Sequence, residues 1–248
     1  MEDIALLATD LRRIAAEGGT DMFGVADLVP ARAYIRELYG DYVAAFPRAV
    51  SVAMQLSPAA VEQLVDHKSV PPTRNYRWYV YQVVNPNLDR TSAMIVRRLV
   101  QAGYRAYLVP ASDTVDKERL LGSFSHKLAA HLAGLGFIGK ACLLVTEKYG
   151  ARVRFGTVLT DAPLEASAPM DGKCGECNRC VEICPVHAFT GVEFRSEDPR
   201  EVRFKAQLCS AYMEHREKTL GARSCGRCVL ACDGTGRQSG PGILTTIP

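Results

Sequence analysis

The sequence predicts a mixed α/β domain over residues 1–165, followed over residues 166–248 by a small module organised around its cysteines. Three observations predict this. From Ile4 to Leu159 the apolar residues recur with helical and strand periods in alternation. Residues 161–172, with two prolines, small residues and acids, read as a linker. Beyond it, eight of the nine cysteines fall between Cys174 and Cys232.

Residues 2–16 set Ile4, Leu7, Leu11 and Ile14 on one helical face. Glu2 and Asp3 at its start and Arg12 and Arg13 toward its end suit the helix dipole. Gly18 and Gly19 close it, and residues 22–26 read as a short strand. Pro30 opens a helix through Tyr39. Residues 49–56 alternate, with Val50, Val52, Met54 and Leu56 on one side, as a strand does. Ser57 and Pro58 fit the N-cap and first position of a helix reaching about Val65. Residues 69–74, with Pro71 and Pro72, predict a loop. A long helical pattern from Tyr76 to Ala102 has to break or kink at Pro86. Residues 104–109 read as a strand, 121–133 as a helix, and 142–145 and 153–159 as strands. Alternating strands and helices define the α/β class.

About half of the 248 residues (48%) are apolar, enough for a core. The net charge of +3 is spread along the chain and too weak to indicate nucleic acid by itself. No stretch approaches the ~18–20 apolar residues of a membrane span. The first residues carry acids before arginines, the reverse of a secretory signal. A soluble, cytoplasmic protein without membrane contact is expected. An odd cysteine count in a chain without a signal argues against a disulfide framework and leaves thiols available to metal.

The first cysteine run is Cys174-x2-Cys177-x2-Cys180-x3-Cys184-Pro185. Two-residue spacings let three thiolates wrap one face of a cubane cluster, and the fourth cysteine, before proline, reaches a second cluster. The second run is Cys225-x2-Cys228-x3-Cys232, with Cys209 upstream. The same exchange assigns Cys174, Cys177, Cys180 and Cys232 to one [4Fe–4S] cluster and Cys184, Cys209, Cys225 and Cys228 to another. Paired CxxC motifs also bind structural zinc. Zinc, however, does not call for a tight triple of cysteines with a Cys-Pro ending. Asp233 follows Cys232, where such a motif commonly has proline.

Residues 134–139 match GxGxxG, but the preceding segment reads as helix and the following one as strand. A dinucleotide fingerprint needs the opposite order. These glycines are therefore expected to serve a tight turn with close backbone approach to another group.

The stretch AGLGFIGKACLLVTEKYGARVRFGTVLTDAPL, residues 133–164, resembles epoxyqueuosine reductases and, more distantly, reductive dehalogenases. CGECNRCVEICP, the lone Cys209 opening CSAY, and CGRCVLAC continue the resemblance. It implies a nitroreductase-like, cobalamin-binding type of α/β domain followed by a bacterial ferredoxin-like two-cluster module. It further implies a cobalamin between them, reduced by a low-potential electron donor such as ferredoxin or flavodoxin through both clusters. By the same resemblance Gly139, Lys140, Leu144, Ala211 and Gly226 face the corrinoid. Two departures argue against the queuosine reaction and against nucleic acid as partner. Leu120 stands where the family has an Asp in a DTGPLLER-like motif. The chain also ends sixteen residues after Cys232, without the helical-repeat extension used beside tRNA.

His126, in the segment replacing that motif, is the candidate proton donor, since histidine titrates near neutrality. Tyr76 is the second candidate, from the aromatic group Tyr76, Trp78, Tyr79 and Tyr81. For both, the competing reading is packing within the core. The expected function is an iron–sulfur oxidoreductase acting through bound cobalamin. The alternatives are a low-potential electron carrier or the reductive activator of a separate corrinoid protein.

Overall fold

The computed structural model describes residues 3–234. In chain order the elements are α1 (Ile4–Glu17), β1 (Met22–Asp27), α2 (Arg32–Ala44), β2 (Arg48–Gln55), α3 (Pro58–Glu62), α4 (Val70–Trp78), α5 (Asn85–Gln101), β3 (Ala106–Val109), α6 (His126–Leu132), β4 (Phe137–Ile138), β5 (Leu144–Val145), β6 (Val153–Thr160), α7 (Arg179–Glu182), α8 (Ala206–Leu220) and α9 (Arg227–Ala231). They form two compact units that are discontinuous in sequence. The first unit takes residues 3–55, 81–137 and 154–171. The second takes 56–80, 138–153 and 172–234. This is not the single cut expected at 165/166. Residues 56–80 and 138–153 pack with the cysteine-rich segment because they carry the side chains and amides that surround its loops.

The first unit is built on a four-stranded sheet of order β1-β2-β6-β3. β1 pairs antiparallel with β2, Val25 opposite Val50. β3 pairs antiparallel with β6, Leu108 opposite Val158. The interior strands β2 and β6 are buried over nearly their whole length, whereas β3 is mostly half-buried. Helix α1 buries Leu7, Leu11 and Ile14, and each such side chain contributes about 1.5–3 kcal/mol. Asp3 caps the helix by accepting from the Ala5 amide at 2.8 Å, while Glu2 lies outside the described residues. Helix α2 runs on past Tyr39, but Gly40, at φ 83°, breaks its geometry where the end was expected. The helix expected over 121–133 shrinks to His126–Leu132. Leu120 turns into the left-handed region at φ 52° and Asp116 bridges to Leu121, so the chain there is a turn.

In the second unit the loop expected over 69–74 is helical. Pro71 and Pro72 sit in the first turn of α4, where the missing amides have no partner to lose. The break expected at Pro86 is taken up one turn earlier, by the π-helical segment Tyr79–Val84, and Pro86 itself falls in the first turn of α5. The strand expected over 142–145 is only Leu144–Val145, because Cys142 adopts φ 52°. The core around the cysteines is made of Ala141, Cys180, Cys184, Ala188 and Phe189, with Phe204, Cys209 and Cys228 packed against it. Phe189 and Phe204 stack at 5.2 Å. No described helix is long and apolar enough to cross a membrane.

Candidate metal centre

All eight cysteines after residue 170 lie in the second unit, and their sulfurs fall into two neighbourhoods. Cys180 has Cys232, Cys174 and Cys177 as its electrostatic neighbours, and Cys232 has Cys174. Cys209 has Cys225 and Cys184, and Cys228 has Cys225, Cys209 and Cys184. Cys228 also senses Cys180, so the two groups adjoin there. Burial pushes the Cys180 thiol up to about 12 and Cys209 up to about 11, and the neighbouring sulfurs add to it. Four desolvated thiols cannot all ionise on their own. Iron supplies the positive charge that makes four thiolates tolerable, so the donor set fits a cluster.

The approach to the first group depends on Gly139. A Cβ there would lie 2.9 Å from Val145 Cγ2 and 3.1 Å from Cys174 Sγ. The bare backbone lets the Lys140 amide reach Cys174 Sγ at 3.4 Å. The group closely approached by the glycine-rich turn is thus a sulfur ligand candidate. Lys140 is buried, and its Nζ donates to Gly175 O at 2.7 Å, Asn178 Oδ1 at 3.0 Å and Cys177 O at 3.3 Å. It ties the Cys174–Cys177 loop to the turn. Gly139→Ala is expected to displace Cys174 and lower bound iron by up to half, with little loss of secondary structure. Iron analysis beside circular dichroism checks it, and an unchanged iron content would refute the role given to this glycine.

Around the second group, Gly226 adopts φ +72°, and a Cβ on it would lie 2.6 Å from Leu64 Cδ1 and 2.8 Å from Tyr76 Cε1. Tyr76, 5% exposed, therefore backs the Cys225–Cys228 turn. Arg216 is buried and donates to His67 O at 2.6 Å, Thr73 Oγ1 at 2.8 Å and the Ser224 carbonyl. It joins α8, α4 and the residues before Cys225. Arg227 donates to Ile183 O at 3.1 Å and to His67 Nδ1. Sequence reasoning missed both arginines. Arg227 carried a readable signal, since it stands between two cysteines expected to be ligands; Arg216 carried none.

Asp233, unexpected after Cys232, accepts from Arg179 Nη2 at 2.6 Å. That pair joins α7 to the end of the second cysteine run and gives the departure from proline a structural reason.

Of the five positions expected to face a corrinoid, Gly139, Lys140 and Leu144 are buried, Gly226 is half-buried and Ala211 is exposed on α8. Neither expected proton donor is presented openly. Tyr76 packs on Gly226. His126 lies in the first unit with Nδ1 2.8 Å from Thr157 Oγ1 and Nε2 2.9 Å from Pro110 O, so both ring nitrogens are engaged. The side chain is half-buried with both ring nitrogens occupied, which fits packing, and the proton-donor role stays a proposal. Among the other aromatics, Tyr79 OH accepts from the Ser57 amide at 3.0 Å, Arg154 stacks over Tyr81, and Trp78 is exposed.

Burial pushes the His126 imidazole down to about 4. The unfolded chain protonates near 6.5, so between these values it binds more protons than the folded chain, and stability falls as pH falls. The expected loss between about pH 6.5 and 4 is roughly 3 kcal/mol. Urea unfolding across that range measures it, and His126→Gln should flatten this part of the profile. An equal slope in the variant would refute the assignment.

The paired sulfur groups are those of a module for two iron–sulfur clusters. Residues 173–234 match the family model of the 4Fe-4S double cluster binding domain. In sequence the chain is similar to epoxyqueuosine reductases. That of Lactococcus garvieae is 34% identical over 121 residues, covering 45% of this chain and 32% of the relative. That of Pseudomonas aeruginosa is 28% identical over 189 residues, covering 76% and 44%. The chain thus spans less than half the length of these curated relatives. Its fold is shared with epoxyqueuosine reductase solved with an epoxyqueuosine-modified tRNA stem loop, at TM-score 0.57 and 20% identity, covering 93% of this chain and 65% of that one. It is also shared with a reductive dehalogenase whose structure suggests a mechanism for B12-dependent dehalogenation, at TM-score 0.64 and 18% identity, covering 90% and 30%.

Proposed function

We propose that this chain carries single electrons from a low-potential donor, such as ferredoxin or flavodoxin, to a bound cobalamin that reduces a substrate. The observation that carries this is the pair of adjoining sulfur neighbourhoods within one compact unit, meeting at Cys180 and Cys228. Cys174, Cys177, Cys180 and Cys232 would hold one cluster, and Cys184, Cys209, Cys225 and Cys228 the other. Likeness in fold to a protein of B12-dependent dehalogenation supports the corrinoid as acceptor. Cobalamin would supply a strongly reducing centre that iron–sulfur chemistry alone lacks. Ala211 and Gly226 are the expected positions that retain surface to meet it, while Gly139 and Lys140 act by holding the first cysteine loop and Leu144 is buried in β5.

A second reading, epoxyqueuosine reduction, is favoured by the sequence likeness to enzymes of that name. The departure at Leu120 weighs against it. The neighbour solved with a modified tRNA stem loop nevertheless keeps nucleic acid among the candidate partners.

The test is electron paramagnetic resonance of the anaerobically purified, cluster-loaded protein with added cob(II)alamin. A changed cobalt spectrum saturating near one per chain supports the proposal. A spectrum identical to free cofactor, beside intact reducible clusters, refutes it and leaves an electron carrier or an activator of a separate corrinoid protein. Offering an epoxyqueuosine-bearing stem loop with a chemical reductant then separates the substrate readings.

A further inference from the structure

Charge is distributed unequally between the two sulfur neighbourhoods. In the first, every cation that binds the loops is answered by a carboxylate. Lys140 Nζ lies 3.9 Å from Glu193 Oε1, and Glu193 Oε2 accepts from the Cys174 amide at 3.2 Å. Arg179 pairs with Asp233 at 2.6 Å. These four charges cancel.

In the second neighbourhood they do not. Arg216 donates to two carbonyls and to hydroxyls of Thr73 and Tyr212, all neutral acceptors. Arg227 donates to Ile183 O and His67 Nδ1. A guanidinium has donors only, so Nδ1 must accept and the ring is neutral. Burial and the Arg227 charge both hold His67 toward that neutral form. Among the described residues, no carboxylate lies within ion-pair reach of either arginine. Two positive charges are left beside this set of thiolates, Arg216 on the Ser224 carbonyl next to Cys225 and Arg227 between Cys225 and Cys228.

Each neighbourhood has one buried and three half-buried sulfurs. Amides donate to sulfur in both, from Lys140 to Cys174 at 3.4 Å and from Ala188 to Cys184 at 3.3 Å. Hydrogen bonds to sulfur are more numerous in the first neighbourhood, where the Ala151 and Gly234 amides also reach Cys232 and the Arg179 side chain reaches Cys177, so the charge difference acts against them. Reduction adds one negative charge to a site that four thiolates already make negative, so uncompensated cations favour it.

We propose that Arg216 and Arg227 make the Cys184, Cys209, Cys225 and Cys228 site the better electron acceptor of the two, so that one electron from a low-potential reductant comes to rest there. This rests on the reading that each neighbourhood ligates one cluster. The two arginines act as tuning residues through charge, without touching substrate.

The test is a redox titration followed by electron paramagnetic resonance on the full chain, with clusters filled and iron and sulfide counted. Two one-electron midpoints are expected. Arg227→Gln should lower the higher midpoint by about tenfold in its reduction equilibrium, about 59 mV, and leave the lower one in place. Arg227→Lys should restore most of the shift. Glu193→Gln should raise the lower midpoint alone, and it decides the matter where Arg227→Gln loses its cluster. A shift of the lower midpoint in Arg227→Gln, of the higher in Glu193→Gln, or of neither in both, overturns the proposal. Iron well below about eight atoms per chain overturns instead the two-cluster reading beneath it.

Discussion

Stripping iron and sulfide is expected to loosen the second unit while the first stays folded. Among the described residues, of the largest fully buried side chains Leu7, Leu11, Leu28, Ile35, Phe46, Leu88, Ile95, Leu99, Leu159 and Leu164 belong to the first unit, and only Leu56 and Leu64 to the second. The centre of the second unit is instead occupied by cysteine, alanine and one phenylalanine pair. Immediately around the cysteines the core has few large apolar groups, and ligation is expected to supply what packing there does not. Hydrogen exchange of the loaded and chelated protein would measure this. Amides of residues 138–153 and 172–234 should exchange at least a hundredfold faster after chelation, equivalent to about 2.8 kcal/mol. Those of β2, β6 and α5 should change little. Equal protection in the two states would show that apolar packing holds the second unit by itself.

Gly226→Val should cost roughly 2–5 kcal/mol of stability, summing the strain of a left-handed backbone and the overpacking of the site. The backbone at φ +72° disfavours any side chain, and a β-branched one most of all. The new methyl groups would also meet Leu64 and the Tyr76 ring, neither of which has open space to retreat into. The turn moved is the one between Cys225 and Cys228, so loss of the second cluster should accompany the loss of stability. Thermal unfolding and iron content of the loaded protein are the readouts. Tyr76→Leu in the same chain should recover the steric part and not the backbone part. A variant with unchanged melting temperature and full iron would remove Tyr76 and Gly226 from the support of this site.

The cysteines were legible because ligand chemistry demands local spacing, and local spacing is written directly in a sequence. The helix α1, the strand β2 and the α/β alternation were legible for a similar reason, since their apolar periods stand out. The turn at residues 134–139 could be set apart from a dinucleotide fingerprint by the order of the elements around it, although the group it approaches, Cys174, lies 34 residues beyond Lys140. Less legible were elements decided by one backbone torsion. Leu120 and Cys142 adopt positive φ and cut short a helix and a strand that propensity favoured. Pro71 and Pro72 resemble loop residues until the helix they open is seen.

What the sequence by itself determined is a cysteine module for two clusters joined to an α/β scaffold. What only the tertiary structure decided is which distant residues surround those cysteines: Tyr76 and Leu64 behind Gly226, Lys140 beneath the first loop, Arg216 tied to His67 across 149 residues. It also decided that both nitrogens of the half-buried His126 are engaged. Spacing encodes contacts between near neighbours along the chain. Burial and charge pairing depend on segments that meet only after folding, and a single sequence carries no local mark of them.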